Sequence, residues 1–199
     1  MTLTREFAQG VSRRCWLTEN CPGSIAWFAT RSDGEPHGHG RRLQECNVGE
    51  AEDEIQSFLR RLIPFYEYVD LSIESAKDGV YRCSLPLNDQ TKNHLDTVHA
   101  AIQWACAEVL GGLVIAFNFR DSKLFVAVRS VTIEFLRPAR SEIVAEVLFP
   151  DERVAGLRRQ LESKGEVEFE VRAVVRDASQ QEVASTVGQY VVRKHRESA

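Results

Sequence analysis

Glu108 is the only charged residue in the run Ala100-Ala101-Ile102-Gln103-Trp104-Ala105-Cys106-Ala107-Glu108-Val109-Leu110. A carboxylate in such company is costly unless it has a partner or a task. It can take a proton from water as a general base, or attack a carbonyl as a nucleophile. Upstream lies the polar, turn-forming stretch Asn93-His94-Leu95-Asp96-Thr97-Val98-His99. It leads into a helix whose first N–H groups, near Ala100 and Ala101, could hold a developing oxyanion with help from the helix dipole.

Helical geometry constrains these assignments. Nine residues separate His99 from Glu108, a net rotation of about 180°, so the two cannot share one helical face. His99 therefore acts from the lead-in turn, or is a structural hydrogen-bonder there. Ala101 and Glu108 are seven apart and lie on one side within about 20°. Asn93 binds a carbonyl or water, or caps a turn. Asp96 reads as a cap.

The elements that must position these groups follow from periodicity. Ile55, Phe58, Leu59 and Leu62 recur at helical spacing over 51–63, and Pro64 stops that helix. Strands are expected over 68–75 and 80–87, joined by the turn Lys77-Asp78-Gly79, with Pro86 ending the second or marking an edge. The long helix is expected from about Thr97 to Leu110, with Asp96 or Thr97 as N-cap and Gly111 as a left-handed terminator. Val98, Ala101, Ile102, Ala105 and Val109 form its apolar stripe. So little charge predicts a helix wrapped by a sheet. Four strands follow, over 124–136, 142–149, 166–176 and 182–193. In the third, Val167, Phe169, Val171, Ala173 and Val175 alternate with Glu166, Glu168, Glu170 and Arg172, the mark of a half-buried antiparallel strand. A charged helix over 153–163, closed by Gly165, lies between the second and third. The fold class is α+β.

The chain has 199 residues, enough for one domain with a core of its own. Residues 1–50 contain the glycine-rich, polar segment 31–42 and read as a low-order extension; residues 51–195 read as the domain. A net charge of −4 and the lack of a basic block leave no footprint for nucleic acid. Five cysteines at irregular spacing make no disulfide framework. Cys83 and Cys106 read as small buried hydrophobes. Cys15, Cys21, His37, His39 and Cys46 match no structural zinc spacing, so no metal site is expected. With no apolar run of roughly 18 residues and no signal-peptide core, neither a membrane span nor export is expected, and the default compartment is the cytoplasm.

At Asn93-His94-Leu95-Asp96-Thr97-Val98-His99-Ala100-Ala101, with Glu108 and Gly111-Gly112, the chain resembles hotdog-fold acyl-CoA thioesterases. The likeness is to the phenylacetate-pathway-like enzymes and the related DUF4442 and YiiD C-terminal groups. Those proteins carry Asn-His-x-Gly-Thr-x-His-Ala/Gly-Gly, then a Glu nine residues past the second His. Phe135-Leu136-Arg137-Pro138-Ala139-Arg140 also looks like the family's strand end, and the likeness spans about residues 55–194. Asp96 stands where Gly is usual, but Asp tolerates the left-handed region better than most residues. Ala101 replaces the second Gly and narrows the space beside the backbone.

The resemblance implies one long helix wrapped by a mainly antiparallel sheet, in a homodimer or dimer of dimers with the site at the subunit interface. It implies hydrolysis of acyl-CoA or related thioesters, with Glu108, Asn93 and His99 as candidate catalytic groups and Ala100 and Ala101 as oxyanion donors. No cofactor is implied; coenzyme A is part of the substrate, and Arg137 and Arg140 are candidates for its phosphates. The alternative is a non-catalytic hotdog module that binds an acyl-CoA or fatty acyl ligand. A dehydratase of the same fold is a third reading; Asp96 and His99 could serve it, but the rest of that motif is missing.

Overall fold

The computed structural model describes residues 48–119 and 124–194. The extension expected over residues 1–50, including the cysteines and histidines weighed there as metal ligands, falls almost wholly outside them. The elements are α1 (Val48–Leu62), α2 (Pro64–Tyr68), β1 (Ser72–Lys77), β2 (Val80–Leu85), α3 (Ala100–Asn118), β3 (Leu124–Phe135), β4 (Ile143–Leu148), α4 (Asp151–Lys164), β5 (Glu166–Asp177) and β6 (Glu182–Lys194). The six strands form one antiparallel sheet in the order β1-β2-β4-β5-β6-β3.

The sheet curls around α3, which touches all six strands. This is the wrapped-helix plan expected of a hotdog fold. Ile102, Cys106, Val109, Leu110, Leu113 and Val114 of α3 are buried against Cys83, Ala145, Val171, Val175 and Val192 of the sheet, within one continuous core. Burial is why α3 is so apolar. By length and composition it could cross a membrane, with Glu108 its one charge, yet most of it lies inside the molecule. On β5 the five residues expected inward are all buried.

Local chemistry explains the punctuation. Asp78 (φ 54°) and Gly79 (φ 73°) make the two-residue turn between β1 and β2, the left-handed pair that suits strand twist. Gly165 closes α4 at φ 72°, and its N–H bonds the Leu161 carbonyl. Asp96 holds φ 53°, so aspartate does take the left-handed position where glycine is usual.

Three sequence expectations change. The strand expected from Tyr68 begins only at Ser72, and Pro64–Tyr68 is a short helix, because Pro64 suits a first helical turn. α3 is capped by His99, not by Asp96 or Thr97. It also runs through Gly111 and Gly112 to Asn118. Gly111 is no terminator: a Cβ there would lie 2.2 Å from Cε1 of Tyr190. The glycine admits the ring, and the helix continues until Arg158 of α4 bonds the Asn118 carbonyl at 2.8 Å.

Candidate active site

The lead-in loop is built around Asn93. Its Oδ1 accepts from the N–H groups of Leu95 (2.8 Å) and Thr97 (3.3 Å), and its Nδ2 donates to Thr97 Oγ1 at 2.9 Å. Of the two roles open to this amide, substrate contact or turn cap, these bonds are those of a turn cap. The loop is pinned at its end: Val98 N–H bonds the Ala139 carbonyl and His99 N–H the Thr91 carbonyl, each at 2.8 Å.

His99 Nδ1 accepts the N–H of Ala101 at 3.1 Å, and the His99 carbonyl accepts from Ile102 and Gln103. The imidazole is therefore a cap, holding its Nδ1 lone pair toward the helix. Of the two oxyanion donors nominated from sequence, Ala101 spends its N–H on His99. Among the described residues Ala100 N–H makes no hydrogen bond. Both alanines are exposed, so the free N–H stands open to a ligand at the positive end of α3.

Glu108 lies two turns beyond Ala100 and is half-buried. Tyr66 of α2 donates from its hydroxyl to Glu108 Oε2 at 3.2 Å. Tyr190 of β6 donates to the backbone carbonyl of the same residue at 2.7 Å. Burial pushes the Glu108 carboxyl above its ordinary range, and the Tyr66 bond opposes this in part. The same burial, with the carboxylate beside it, pushes both tyrosine hydroxyls far up, so they stay protonated donors. Cys83 faces the same charge from β2; burial and the Cys106 thiol push it well above the usual thiol range.

Sequence reading missed Tyr66 and Tyr190. They lie 42 and 82 residues from Glu108, and no local pattern marks them. Gly111-Gly112 was the one clue, since a notch in a buried helix implies a large side chain seated in it.

Arg137 and Arg140 are exposed in the loop after β3. Arg137 donates to the Glu182 carbonyl at 3.1 Å. Ala139, between them, bonds Val98, so this loop runs beside the start of α3. Among the described residues no cluster of three or more metal-ligating side chains occurs.

A single central helix with one internal carboxylate, wrapped by six antiparallel strands, places this protein in the hotdog thioesterase superfamily. Its family is DUF4442, a domain of unknown function, whose profile matches residues 52–192; the chain belongs to that family. A Pseudomonas aeruginosa protein described as a probable thioesterase is 25% identical, covering 72% of this chain and 96% of its own at a TM-score of 0.65. A Chlorobaculum tepidum protein of unknown function shares the fold at 18% identity, with 74% and 97% covered and a TM-score of 0.67. So does a Haemophilus influenzae thioesterase at 13% identity, with 73% and 92% covered and a TM-score of 0.58. No curated protein matches the chain significantly.

Proposed function

We propose that this protein hydrolyses acyl-CoA, or related acyl, thioesters to free acid and thiol. Glu108 carries the reading: it is the one carboxylate of the central helix, raised in basicity by burial, with Oε2 held and no donor on Oε1 among the described residues. In the reaction Oε1 takes a proton from water as the water oxygen bonds to the thioester carbon. Charge gathers on the carbonyl oxygen, which the open N–H of Ala100 receives at the positive end of α3. The C–S bond then breaks. The proton on Glu108 passes to the departing sulfur, leaving acid, thiol and the starting carboxylate.

Within one protomer these two groups cannot reach one carbonyl. Eight residues of helix put about 12 Å between Ala100 and Glu108 along the axis. A second copy resolves this if Glu108 of one protomer faces the helix start of its partner. The edge strand β3 favours such pairing. Its twelve residues have one side unpaired among the described residues, and Phe125, Val128 and Phe135 are exposed, which a lone chain would be expected to blunt. Arg137 and Arg140, beside the helix start, suit the phosphates of coenzyme A.

The rival reading, a non-catalytic acyl-binding module, draws on Asn93 and Ala101, whose polar groups are already engaged. Free-thiol release from a panel of acyl-CoA thioesters, wild type beside Glu108→Gln, separates the two. A thioesterase turns over at least one of them and loses about a hundredfold or more in the folded variant. No release from any thioester by a folded protein favours the binding module.

A further inference from the structure

We propose that Tyr66 is the positioning residue of Glu108, fixing which carboxylate oxygen is free to meet water. The proposal rests on the hydrolase reading above, and it names a group from outside the central helix and its lead-in loop.

The geometry is asymmetric in a useful way. Tyr66 holds Oε2 at 3.2 Å. No donor from the described residues reaches Oε1. Among the described residues, the titratable groups that face the carboxylate are Tyr66 from α2, Cys83 from β2 and Tyr190 from β6. None is a cation, and Tyr190 is committed to the Glu108 backbone carbonyl. Tyr66 is therefore the one side chain among them that both orients the carboxylate and favours its charged form. Without it, a half-buried carboxylate with no cation beside it swings between rotamers and holds its proton more tightly.

The helix that carries Tyr66 is short, yet it is fixed like a bracket. Pro64 opens it. The Tyr66 carbonyl accepts Leu71 N–H at 2.9 Å, and the Phe65 carbonyl accepts Val69 N–H at 3.0 Å. Asp70 turns the chain at φ 56°. Arg60 of α1 then clamps the corner, donating from Nε and Nη2 to the Leu71 carbonyl at 3.0 and 2.7 Å and from Nη2 to Asp70 Oδ1 at 2.8 Å. Tyr66 itself is 7% exposed. A side chain needed only to fill the core requires no such guided hydroxyl; Phe would serve.

Tyr66→Phe removes the hydroxyl and keeps the ring. The expected result is a kcat about ten- to a hundredfold lower with KM little changed, the scale of one hydrogen bond to a charged group. The acid limb of the kcat/KM profile moves to higher pH. The Glu108 carboxyl, followed by carbon-13 NMR with no substrate present, titrates higher in the variant than in wild type. Site-specific 3-fluorotyrosine at position 66, a stronger donor, moves that titration down, so the test survives if Tyr66→Phe folds poorly. A carboxyl titration identical in wild type and both variants overturns the proposal, as does loss of activity that merely tracks loss of melting temperature. Because the titration needs no turnover, it stands apart from the hydrolase reading, which fails if wild type hydrolyses no thioester.

Discussion

Tyr190 occupies the room that a side chain at Gly111 would need. Its ring passes between Gly111 of α3 and Gly188 of β6, where added Cβ atoms would lie 2.2 and 2.5 Å from it. It stacks on Phe169 with ring centroids 5.4 Å apart, and its hydroxyl reaches the Glu108 carbonyl. Helix, strand and candidate catalytic residue are thus tied through one aromatic side chain. Gly111→Ala is expected to cost about 1–3 kcal/mol, the range for overfilling a packed core. Gly112→Ala has nothing within 4 Å and is expected to be neutral or stabilising by up to about 1 kcal/mol through helix propensity. Thermal melts of the two variants check both; equal melting temperatures would contradict the notch.

Ala100 allows a backbone donor to be deleted by mutation. It is the first residue of α3, and the preceding His99 has φ −61° and ψ 143°. Proline is favoured at such a position, and the extended residue before it suits a proline next. Ala100→Pro should fold normally and lose about 10²–10³ in turnover. Mixed with Glu108→Gln protein under subunit exchange, it should recover about a quarter of wild-type activity if each site draws one group from either subunit of a two-fold dimer. No recovery despite exchange would mean that Ala100 and Glu108 do not complete one site across a subunit interface.

Ionisation of Glu108 works against the fold. Burial makes the folded chain hold this proton more tightly than the unfolded chain, so the folded value lies above the ordinary 4.5. Stability from this residue is full below about 4.5 and is lost as pH climbs through the higher folded value. Glu108→Gln carries no such charge at any pH. It should melt above wild type at about pH 8, with the gap closing by about pH 4. Activity runs the opposite way, because the base must be ionised: kcat/KM should fall as pH drops through that same raised value. A variant less stable than wild type at the higher pH would contradict the account of burial.

Cys83 and Cys106 are fully buried, with sulfurs 3.8 Å apart. Cys83 also donates to the Cys106 carbonyl at 2.8 Å. Burial pushes the Cys83 thiol toward its protonated state and shields both sulfurs from reagent, which makes them poor nucleophiles. Neither is expected to react with iodoacetamide in the folded protein; both should react at the rate of global unfolding, as peptide mapping after timed alkylation would show. Rapid labelling of Cys106 in native conditions would mean that α3 parts from β2 far more readily than this packing implies.

Much of the fold was legible because its signals are local. Alternation on β5 gave strand and face together, since a period of two fixes both. Asp78-Gly79 and Gly165 gave turn and stop, because left-handed backbone has few tenants. Glu108 stood out by its surroundings alone. What could not be read depends on distant partners. Gly111 looked like a helix end until Tyr190, 79 residues away, was seen to fill its space. His99 and Asn93 carry the residue types of a reactive pair, but the loop uses much of their hydrogen bonding for its own shape. Residue type showed that these groups were special; only the contacts showed which bonds remained free.

The strand order has a kinetic consequence. β1–β2 and β5–β6 are hairpins closed by short turns, but β3 pairs with β6 across the whole of β4, α4 and β5, joining Phe135 to Ala184 at one end and Leu124 to Lys194 at the other. Contacts between residues so far apart in sequence carry a larger loop-closure cost, so β3 should zip onto the sheet after the hairpins have formed. Until then the newly made chain bares β6, and afterwards it bares β3. If the chain pairs through β3 as proposed, pairing is the final step of folding rather than an event that follows it, and a chain made faster than it meets a second copy is most prone to aggregate through that one strand.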